Sequence, residues 1–220
     1  MDFSKGYSSD FICKNLGLGC FDNTEEARIA RFYVRMLFKP SWHPESCVTI
    51  STQNDQTILR YAYFEGESLW HSKGIRTPLA FTEQHILPSS PIDGLLSITA
   101  EASSHAVDVS RGVTLDGMGC CFLWKHHSQV MQNETNVGSP GFWRDWACAV
   151  LQVCWDAVQN PHAKQVVAAT ASYVGLEFNP ATLPPVKPRT HVLLLGAEEE
   201  RQNLLDSIHK AFAKDGDKPS

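Results

Sequence analysis

The sequence predicts an α+β protein, in which an antiparallel sheet of consecutive hairpins is covered on one face by an N-terminal helix and C-terminal helices. Two observations lead to this fold class. Runs rich in β-branched and aromatic residues are grouped in the first half of the chain, and helical spacing of apolar residues prevails in the second half. The sequence also lacks the regular alternation of strands and helices that indicates a parallel sheet.

The N-terminal part of the chain predicts a lead-in followed by a helix. Residues 1–22 are rich in Gly, Ser and Asp, and we expect them to be flexible. Apolar residues at helical spacing then predict an amphipathic helix that begins at Asn23-Thr24 and ends at Lys39-Pro40. Its apolar face consists of Ile29, Phe32, Tyr33, Met36 and Leu37. This face must be buried, and we therefore expect it to pack on the sheet.

The first hairpin is predicted from two segments with high strand propensity. Strands are expected near residues 46–53 and 56–64, where β-branched and aromatic residues flank the pair Asn54-Asp55. Asn and Asp tolerate the backbone conformation that a two-residue hairpin turn requires. The turn is therefore expected at these two positions.

Two further strand pairs are predicted in the middle of the chain. The segments RTPLAFTEQHI (76–86) and GLLSITAEA (94–102) resemble strands separated by Pro and Gly residues. The segment at 105–127 is predicted to form another hairpin, which turns near Asp116-Gly117. Its second arm alternates between apolar and other residues over Cys120, Phe122 and Trp124.

A polar loop, residues 127–138, precedes the most apolar helix that the sequence predicts. The segment SPGFWRDWACAVLQVCWDAVQNP (139–161) is apolar nearly all the way round a helix, which is typical of a buried helix. Ser139 is its expected N-cap, and Asn160-Pro161 prevents it from continuing. Pro161 is expected to start a second helix that ends near Gly175.

The remaining residues complete a predicted single α+β domain over residues 23–214. A Pro-rich strap at 179–189 is expected to lie extended over the surface. HVLLLG then predicts a short strand, and AEEERQNLLDSIHKAFAK predicts a final amphipathic helix. The tail at 215–220 is expected to be disordered.

The composition argues against two classes of partner. The formal net charge is −5, and the 19 Lys and Arg residues are dispersed along the chain. We therefore expect no nucleic-acid partner, because contact with the phosphate backbone requires clustered basic side chains. No apolar stretch reaches the length of about 18 to 20 residues that spans a bilayer, so we also expect no membrane interaction.

The cysteines and the first residues of the chain predict a cytoplasmic protein. The seven cysteines are an odd number, and several lie in apolar segments where a free thiol acts as a small core residue. This usage favours a reducing compartment. The first residues carry Asp, Lys and Ser where a secretory signal would need an uninterrupted apolar run.

The histidines suggest a metal site, for which His105 and His126 are the best-placed candidates. Pairing about Asp116-Gly117 would bring these two residues close together on the arms of one hairpin. His127 would point to the opposite face, however, and the chain has no compact Cys/His spacing of the kind found in zinc sites. We therefore expect no bound metal and no other cofactor.

A catalytic site is the second chemical possibility. Cys47 is the more exposed candidate nucleophile, and His43 and Glu45 are close enough in sequence to form a proton relay around it. Their spacing matches no nucleophile motif. An enzyme would therefore need a noncontiguous site around His43, Cys47, His105 and His126.

Trp42 and Trp70 are the candidate partner contacts. Each lies among polar residues, in SWHPES and ESLWHSKG, at an expected edge of the β region. Such aromatic residues often anchor protein interfaces, although capping of the core explains their positions equally well. Glu65 and Glu67 lie beside Trp70, and acids next to an aromatic anchor favour a partner with a basic contact surface.

The sequence favours a non-enzymatic, acidic cytoplasmic protein that binds another protein. The most concrete form of this hypothesis is a bacterial immunity protein, which binds and neutralises a toxin. The alternatives are an enzyme with a noncontiguous Cys/His active site and a structural subunit of a complex.

Overall fold

The computed structural model describes residues 7–22, 24–72, 77–88, 90–105 and 117–179. All of these residues belong to one compact unit. The predictions for the first arm of the third hairpin (106–116), for the Pro-rich strap beyond Asn179 and for the following elements lie outside the described residues. The prediction of a single domain over 23–214 stays a prediction.

The described residues form one sheet of six strands, in which every neighbouring pair is antiparallel. The strands are β1 (Phe32–Pro40), β2 (Ser46–Gln53), β3 (Gln56–Phe64), β4 (Ala80–Leu87), β5 (Met118–His126) and β6 (Gln129–Asn136). Their order is β4-β3-β2-β1-β5-β6, so β1 lies inside the sheet and β4 and β6 form its edges. The predicted α+β class with an antiparallel sheet of consecutive hairpins is confirmed.

Six α-helices accompany the sheet in the described part of the chain. They are α1 (Ser9–Asn15), α2 (Thr24–Ile29), α3 (Leu69–Ser72), α4 (Ser90–Glu101), α5 (Phe142–Ala157) and α6 (Pro161–Ser172). A short 3₁₀ turn, Ala102–Ser104, follows α4.

Helices lie on both faces of the sheet. On one face, called the α5 face, α4, α5 and α6 cover a cluster that includes Met36, Phe122 and Trp146. On the opposite face, called the α1 face, the shorter helices α1, α2 and α3 cover a second cluster, which includes Tyr33 and Leu37. The clusters separate because successive strand residues point to opposite faces. The prediction that the helices cover only one face is not confirmed.

Strand β1 replaces most of the predicted N-terminal helix, and that prediction is wrong. Only Thr24–Ile29 is helical, and the following residues of the predicted apolar face lie in β1. Residues 32–38 are all buried, because helices cover both faces of this inner strand. A strand buried on both faces has a continuous apolar sequence, and such a sequence also satisfies helical spacing.

The structure also differs from the predicted flexible lead-in. Residues 7–22 include α1, in which Ile12 and Cys13 are fully buried on the α1 face. The Ser8 side chain caps this helix by accepting a hydrogen bond from the Phe11 amide at 3.2 Å. The helix is short, with only two fully buried residues, so its periodicity is weak in the sequence.

The first predicted hairpin is confirmed with the predicted strand limits. The turn residues Asn54 and Asp55 have φ values of 48° and 58°. Two successive positive φ values are characteristic of a type I′ turn, whose twist matches that of the strands it joins. The local turn signal was therefore sufficient to place β2 and β3.

The second predicted strand pair is correct in one arm only. Strand β4 overlaps most of the predicted segment 76–86 and ends at Leu87, but residues 94–102 lie in α4 and the turn that follows it. Ile92, Leu95 and Ala102 are buried on the α5 face. A short apolar run is compatible with either a strand or a buried helix, and here packing on the sheet selects the helix.

The third hairpin turns at a different place from the predicted one. Strand β5 pairs with β1 on one side and with β6 on the other. Its hairpin partner is β6, which occupies most of the predicted polar loop at 127–138. The turn lies at His127-Ser128. The polar sequence of β6 is explained by its position at an exposed sheet edge.

The apolar helix is confirmed as α5, and Trp146 is fully buried in it. The helix begins at Phe142, and Gly141, rather than the predicted Ser139, occupies the N-cap position. The face with Trp146 packs against the aromatic side chains of β5.

The predicted boundary between the last two described helices is confirmed. The Asn160 side chain accepts a hydrogen bond from the His162 amide at 2.9 Å, and Pro161 occupies the first turn of α6. Helix α6 ends at Ser172, and Gly175 adopts a φ of 71°, as is common where a helix ends.

Candidate functional site

The two tryptophans predicted to contact a partner lie at the same end of the sheet. Trp42 follows β1 and is 64% exposed, whereas Trp70 lies in α3 and is 41% exposed. The His71 ring stacks on Trp42, with 5.6 Å between ring centroids and an angle of 21° between ring planes. Trp42, Trp70 and His71 are called the aromatic surface below.

A buried carboxylate fixes the backbone that carries Trp70. Glu45 is fully buried, and its Oε2 atom accepts a hydrogen bond from the Leu69 amide at 2.8 Å. Its Oε1 atom accepts hydrogen bonds from the Trp70 amide at 3.1 Å and the Ser68 hydroxyl at 3.0 Å. The first amides of a helix have no partners within it, so this carboxylate holds the start of α3 in place.

The N-terminal segment contributes a further contact to this carboxylate. The Tyr7 hydroxyl donates a hydrogen bond to Glu45, and its ring lies edge-on to Trp70 with 4.9 Å between centroids. Burial raises the pKa of Tyr7, and the charge of Glu45 raises it further. The hydroxyl therefore stays protonated and remains a donor at neutral pH.

The loop that carries Trp42 is fixed by a residue that directly follows α6. The Trp42 amide donates a hydrogen bond to the hydroxyl of Tyr173, which follows α6, at 3.1 Å. The Nδ1 atom of His43 lies 3.0 Å from the same hydroxyl. The loop with Trp42 and the helix with Trp70 are therefore both fixed by hydrogen bonds to other parts of the fold.

The two candidate acids have different surroundings. The Glu65 carboxylate lies 3.1 Å from Nδ1 of His162 in α6, and its side chain is only 17% exposed. Glu67 is exposed, and its amide donates a hydrogen bond to the Glu65 carbonyl at 3.0 Å. Glu67 is therefore the better placed of the two to face a partner, since Glu65 already contacts α6.

The residues of the alternative enzyme site do not come together. His43 and His126 lie at opposite ends of the antiparallel pair β1 and β5, about 25 Å apart along the strands. Cys47, predicted to be the more exposed nucleophile, is instead buried on the α1 face. His105 stacks instead on Phe142, with 3.8 Å between ring centroids. These four residues therefore do not form one catalytic site.

A cleft on the α1 face contains a polar cluster that the sequence did not indicate. The cleft has a volume of about 540 Å³, and its lining includes Tyr7, Ser9, Asp10, Lys39, Cys121 and Glu134. The Sγ atom of Cys121 lies 3.0 Å from the Ser9 hydroxyl, and Lys39 donates a hydrogen bond to Glu134. These side chains come from α1, β1, β5 and β6, so no short motif could have revealed them.

The charge states in this cleft argue against a reactive thiol. Burial raises the pKa of Cys121 to about 11, although Lys39 opposes the shift. Burial also favours a higher pKa at Glu134, but its hydrogen bond with Lys39 holds that pKa below its ordinary value. The thiol is therefore protonated at neutral pH, and the neighbouring Lys39 and Glu134 form an ion pair.

One group of three potential metal ligands occurs in the described ranges. The ligand atoms of Asp10, Cys20 and Asp22 lie within 4.8 Å of one another, and all three residues are exposed. The candidates suggested by the sequence, His105 and His126, belong to no such group in these ranges. Exposed acidic groups of this kind are common without a metal, so the three residues do not by themselves define a site.

The sequence matches no model of a known protein family and no curated protein sequence. None of the described helices combines the length and apolar character needed to cross a bilayer. The functional proposal therefore depends on the geometry of this chain alone.

Proposed function

We propose that the protein is non-enzymatic and binds another protein through the aromatic surface. Trp42 and Trp70 anchor the contact, and Glu67 faces basic side chains of the partner. The observation that carries this proposal is the exposure of two tryptophans on backbone segments that hydrogen bonds hold in place.

The fixed backbone matters because association costs conformational entropy. A loop that orders only on binding loses part of the contact energy, whereas a pre-organised loop does not. Glu45 and Tyr173 hold the segments that carry Trp70 and Trp42 before any partner arrives. Large, rigid aromatic side chains in such settings are typical of the residues that contribute most to binding energy.

The charge of the site supports a basic partner. The chain carries a net charge of −5, and Glu67 is exposed beside the aromatic surface. Trp42 is 64% exposed, so basic side chains of a partner can reach the part of its ring that faces solvent. Long-range attraction would speed encounter, and the tryptophans would slow dissociation.

The most specific form of the proposal is a bacterial immunity protein that neutralises a toxin in the cytoplasm. All seven cysteines are free thiols, which suits a reducing compartment. The acidic charge suits tight binding to a basic toxin. A structural subunit of a complex would use the same surface for a permanent partner.

The test is affinity capture from the native host, followed by binding kinetics with the purified partner. Trp70→Ala should weaken the affinity by about 10- to 100-fold, mainly through faster dissociation. Glu67→Lys should mainly slow association and reduce its dependence on salt.

Matched controls separate the site from the rest of the surface. Ile29→Ala removes an equally exposed apolar side chain from α2, and Glu101→Lys reverses an exposed charge at the end of α4. Both variants should bind like the wild type. The proposal is wrong if Trp70→Ala binds every captured protein as the controls do, or if a turnover activity depends on His43 or Cys47.

A further inference from the structure

The N-terminal segment, residues 7–15, reaches the aromatic surface through one residue. Tyr7 directly precedes Ser8, the residue that caps α1, so the docking of α1 sets the position of Tyr7. The Tyr7 hydroxyl donates a hydrogen bond to the Glu45 carboxylate, and the Tyr7 ring lies edge-on to Trp70. Tyr7 therefore contacts both the exposed tryptophan of α3 and the carboxylate that holds this helix in place.

The Glu45 carboxylate has few donors to stabilise its charge. It is fully buried, and in the described ranges it forms no ion pair with a Lys, Arg or His side chain. Its charge is therefore stabilised mainly by hydrogen bonds. Three donors lie in or directly before α3, namely the Ser68 hydroxyl and the Leu69 and Trp70 amides. Among the described residues, only Tyr7 donates to this carboxylate from another element.

Helix α3 is too short to be stable without these hydrogen bonds. It spans the 4 residues Leu69–Ser72, and an isolated helix of about one turn does not persist in water. Leu69 is buried, but Trp70 is 41% exposed, so packing alone holds Trp70 only in part. The position of Trp70 therefore depends largely on the hydrogen bonds that Glu45 accepts.

Helix α1 can leave the sheet while the strands stay paired. It has 7 residues, of which Ile12 and Cys13 are fully buried. Local opening costs least where few apolar side chains are packed. By contrast, β1, β2 and β5 are hydrogen-bonded to a neighbouring strand on both sides. We therefore expect the N-terminal segment to open before the sheet does.

We propose that docking of the N-terminal segment controls the partner-binding state of the aromatic surface, with Tyr7 as the positioning residue. When α1 is docked, Tyr7 completes the donors of Glu45, and α3 is ordered. When the segment leaves the sheet, Glu45 loses this donor, Trp70 loses the ring contact, and α3 becomes mobile. A partner must then order α3 on binding, so its affinity falls. The inference rests on the proposed function, because it assigns a regulatory device to the same surface.

Amide hydrogen exchange tests this coupling without any partner. Tyr7→Phe removes the hydroxyl but keeps the ring, so the Leu69 and Trp70 amides should exchange about tenfold faster. The matched control is Tyr33→Phe, which removes a buried hydroxyl on the same face that has no hydrogen-bond partner in the described part of the chain. This control should leave both rates unchanged, and the amides of α5 should keep their wild-type rates in both variants.

A second variant tests whether undocking of α1 has the same effect. Ile12→Ala weakens the packing of α1 and should accelerate exchange both in α1 and at Leu69 and Trp70. In a Tyr7→Phe background, the same change should accelerate the two α3 amides about threefold less, because the link is already broken. Circular dichroism checks that each variant is folded. If Ile12→Ala is unfolded, the comparison of Tyr7→Phe with Tyr33→Phe decides.

Binding of a captured partner gives the functional measurement. Tyr7→Phe should weaken the affinity about 3- to 10-fold, while its thermal unfolding midpoint stays near that of Tyr33→Phe. Faster α3 exchange in Tyr7→Phe with no captured partner supports the coupling and counts against the proposed function, so the two failures are distinguishable. Unchanged exchange at Leu69 and Trp70 overturns the inference, as does an acceleration that extends equally through α5.

Discussion

The two faces of the sheet are covered by different means. On the α5 face, Trp146 lies 5.4 Å from Phe122 and 5.4 Å from Trp124, measured between ring centroids. The indole N–H groups of Trp124 and Trp146 have no hydrogen-bond partner in the described part of the chain. The 16-residue helix α5 therefore depends mainly on apolar area and close packing.

The α1 face depends more on buried polar side chains. Helices α1 and α2 have only 7 and 6 residues, which is too short for much stability of their own. Arg35 is 1% exposed and donates hydrogen bonds to the Cys20 and Phe21 carbonyls and to the Glu26 carboxylate. These bonds connect β1 to the loop after α1 and to α2.

The difference shows how helix length affects the way a helix is held. A long helix buries enough apolar area to fix its own position, even where some of its polar groups have no hydrogen-bond partner. A helix of two turns buries little area, so a few directional bonds must fix it. We therefore expect loss of side-chain volume to destabilise the fold most on the α5 face. Loss of a buried charged side chain should destabilise it most on the α1 face.

The largest expected effect is that of Trp146→Ala on the α5 face. Loss of this fully buried ring and the cavity left behind should lower the free energy of unfolding by about 3 to 5 kcal/mol. Trp155→Ala, which removes a half-buried ring from the same helix, should lower it by less. Urea unfolding measures both changes. A loss below about 1 kcal/mol at Trp146 would contradict the description of a volume-dependent face.

The next effect is that of Arg35→Met on the α1 face. The change keeps the apolar part of the side chain but leaves two buried carbonyls without their donor and Glu26 with only Arg60 nearby, which should cost about 2 to 3 kcal/mol. The control, Arg31→Met, removes an exposed ion pair with Asp55 and should leave the unfolding midpoint unchanged. Equal unfolding midpoints for Arg35→Met and Arg31→Met would show that the buried charge of Arg35 does not stabilise the α1 face.

The smallest effect concerns two adjacent thiols on opposite faces. Cys121 lines the cleft on the α1 face, and its pKa is raised by burial to about 11, whereas burial raises the pKa of Cys120 well above its ordinary value. The thiolate is the reactive form, so alkylation of Cys121 should be negligible at pH 8 and should rise as the pH approaches 11. Cys120 should stay unlabelled over this range while the fold persists.

Peptide mapping by mass spectrometry measures the labelling, with the exposed Cys20 as the internal reference that reacts first. Equal labelling of Cys120 and Cys121 at every pH would mean that the two faces open together.

Elements with local signals could be predicted from the sequence. The turn at Asn54-Asp55 and the apolar helix α5 each have their determinants within a few neighbouring residues, and both predictions are confirmed. Strands β1 and β6 were missed because their structure depends on distant partners. The apolar run of β1 suits a helix until helices cover both of its faces, and the polar run of β6 becomes a strand only beside β5.

In the candidate site, too, local features could be predicted from the sequence, whereas contacts between distant residues could not. The polar surroundings of Trp42 and Trp70 suggested exposure, and the structure places both at one end of the sheet. The support of Trp70 by Glu45 could not be predicted, because the carboxylate is close to α3 only after β2 and β3 have paired. The cleft at Cys121 was missed for the same reason.

The inner position of β1 has a consequence during synthesis on the ribosome. One side of β1 pairs with β2, which follows directly, but the other side must wait for β5, from which residues 41–117 separate it. At rates of about 5 to 20 residues per second, roughly 4 to 16 s pass before that partner is made. Throughout this interval the N–H and C=O groups on that side of β1 are open to pairing with a strand of another nascent chain, the kind of exposure against which chaperones act.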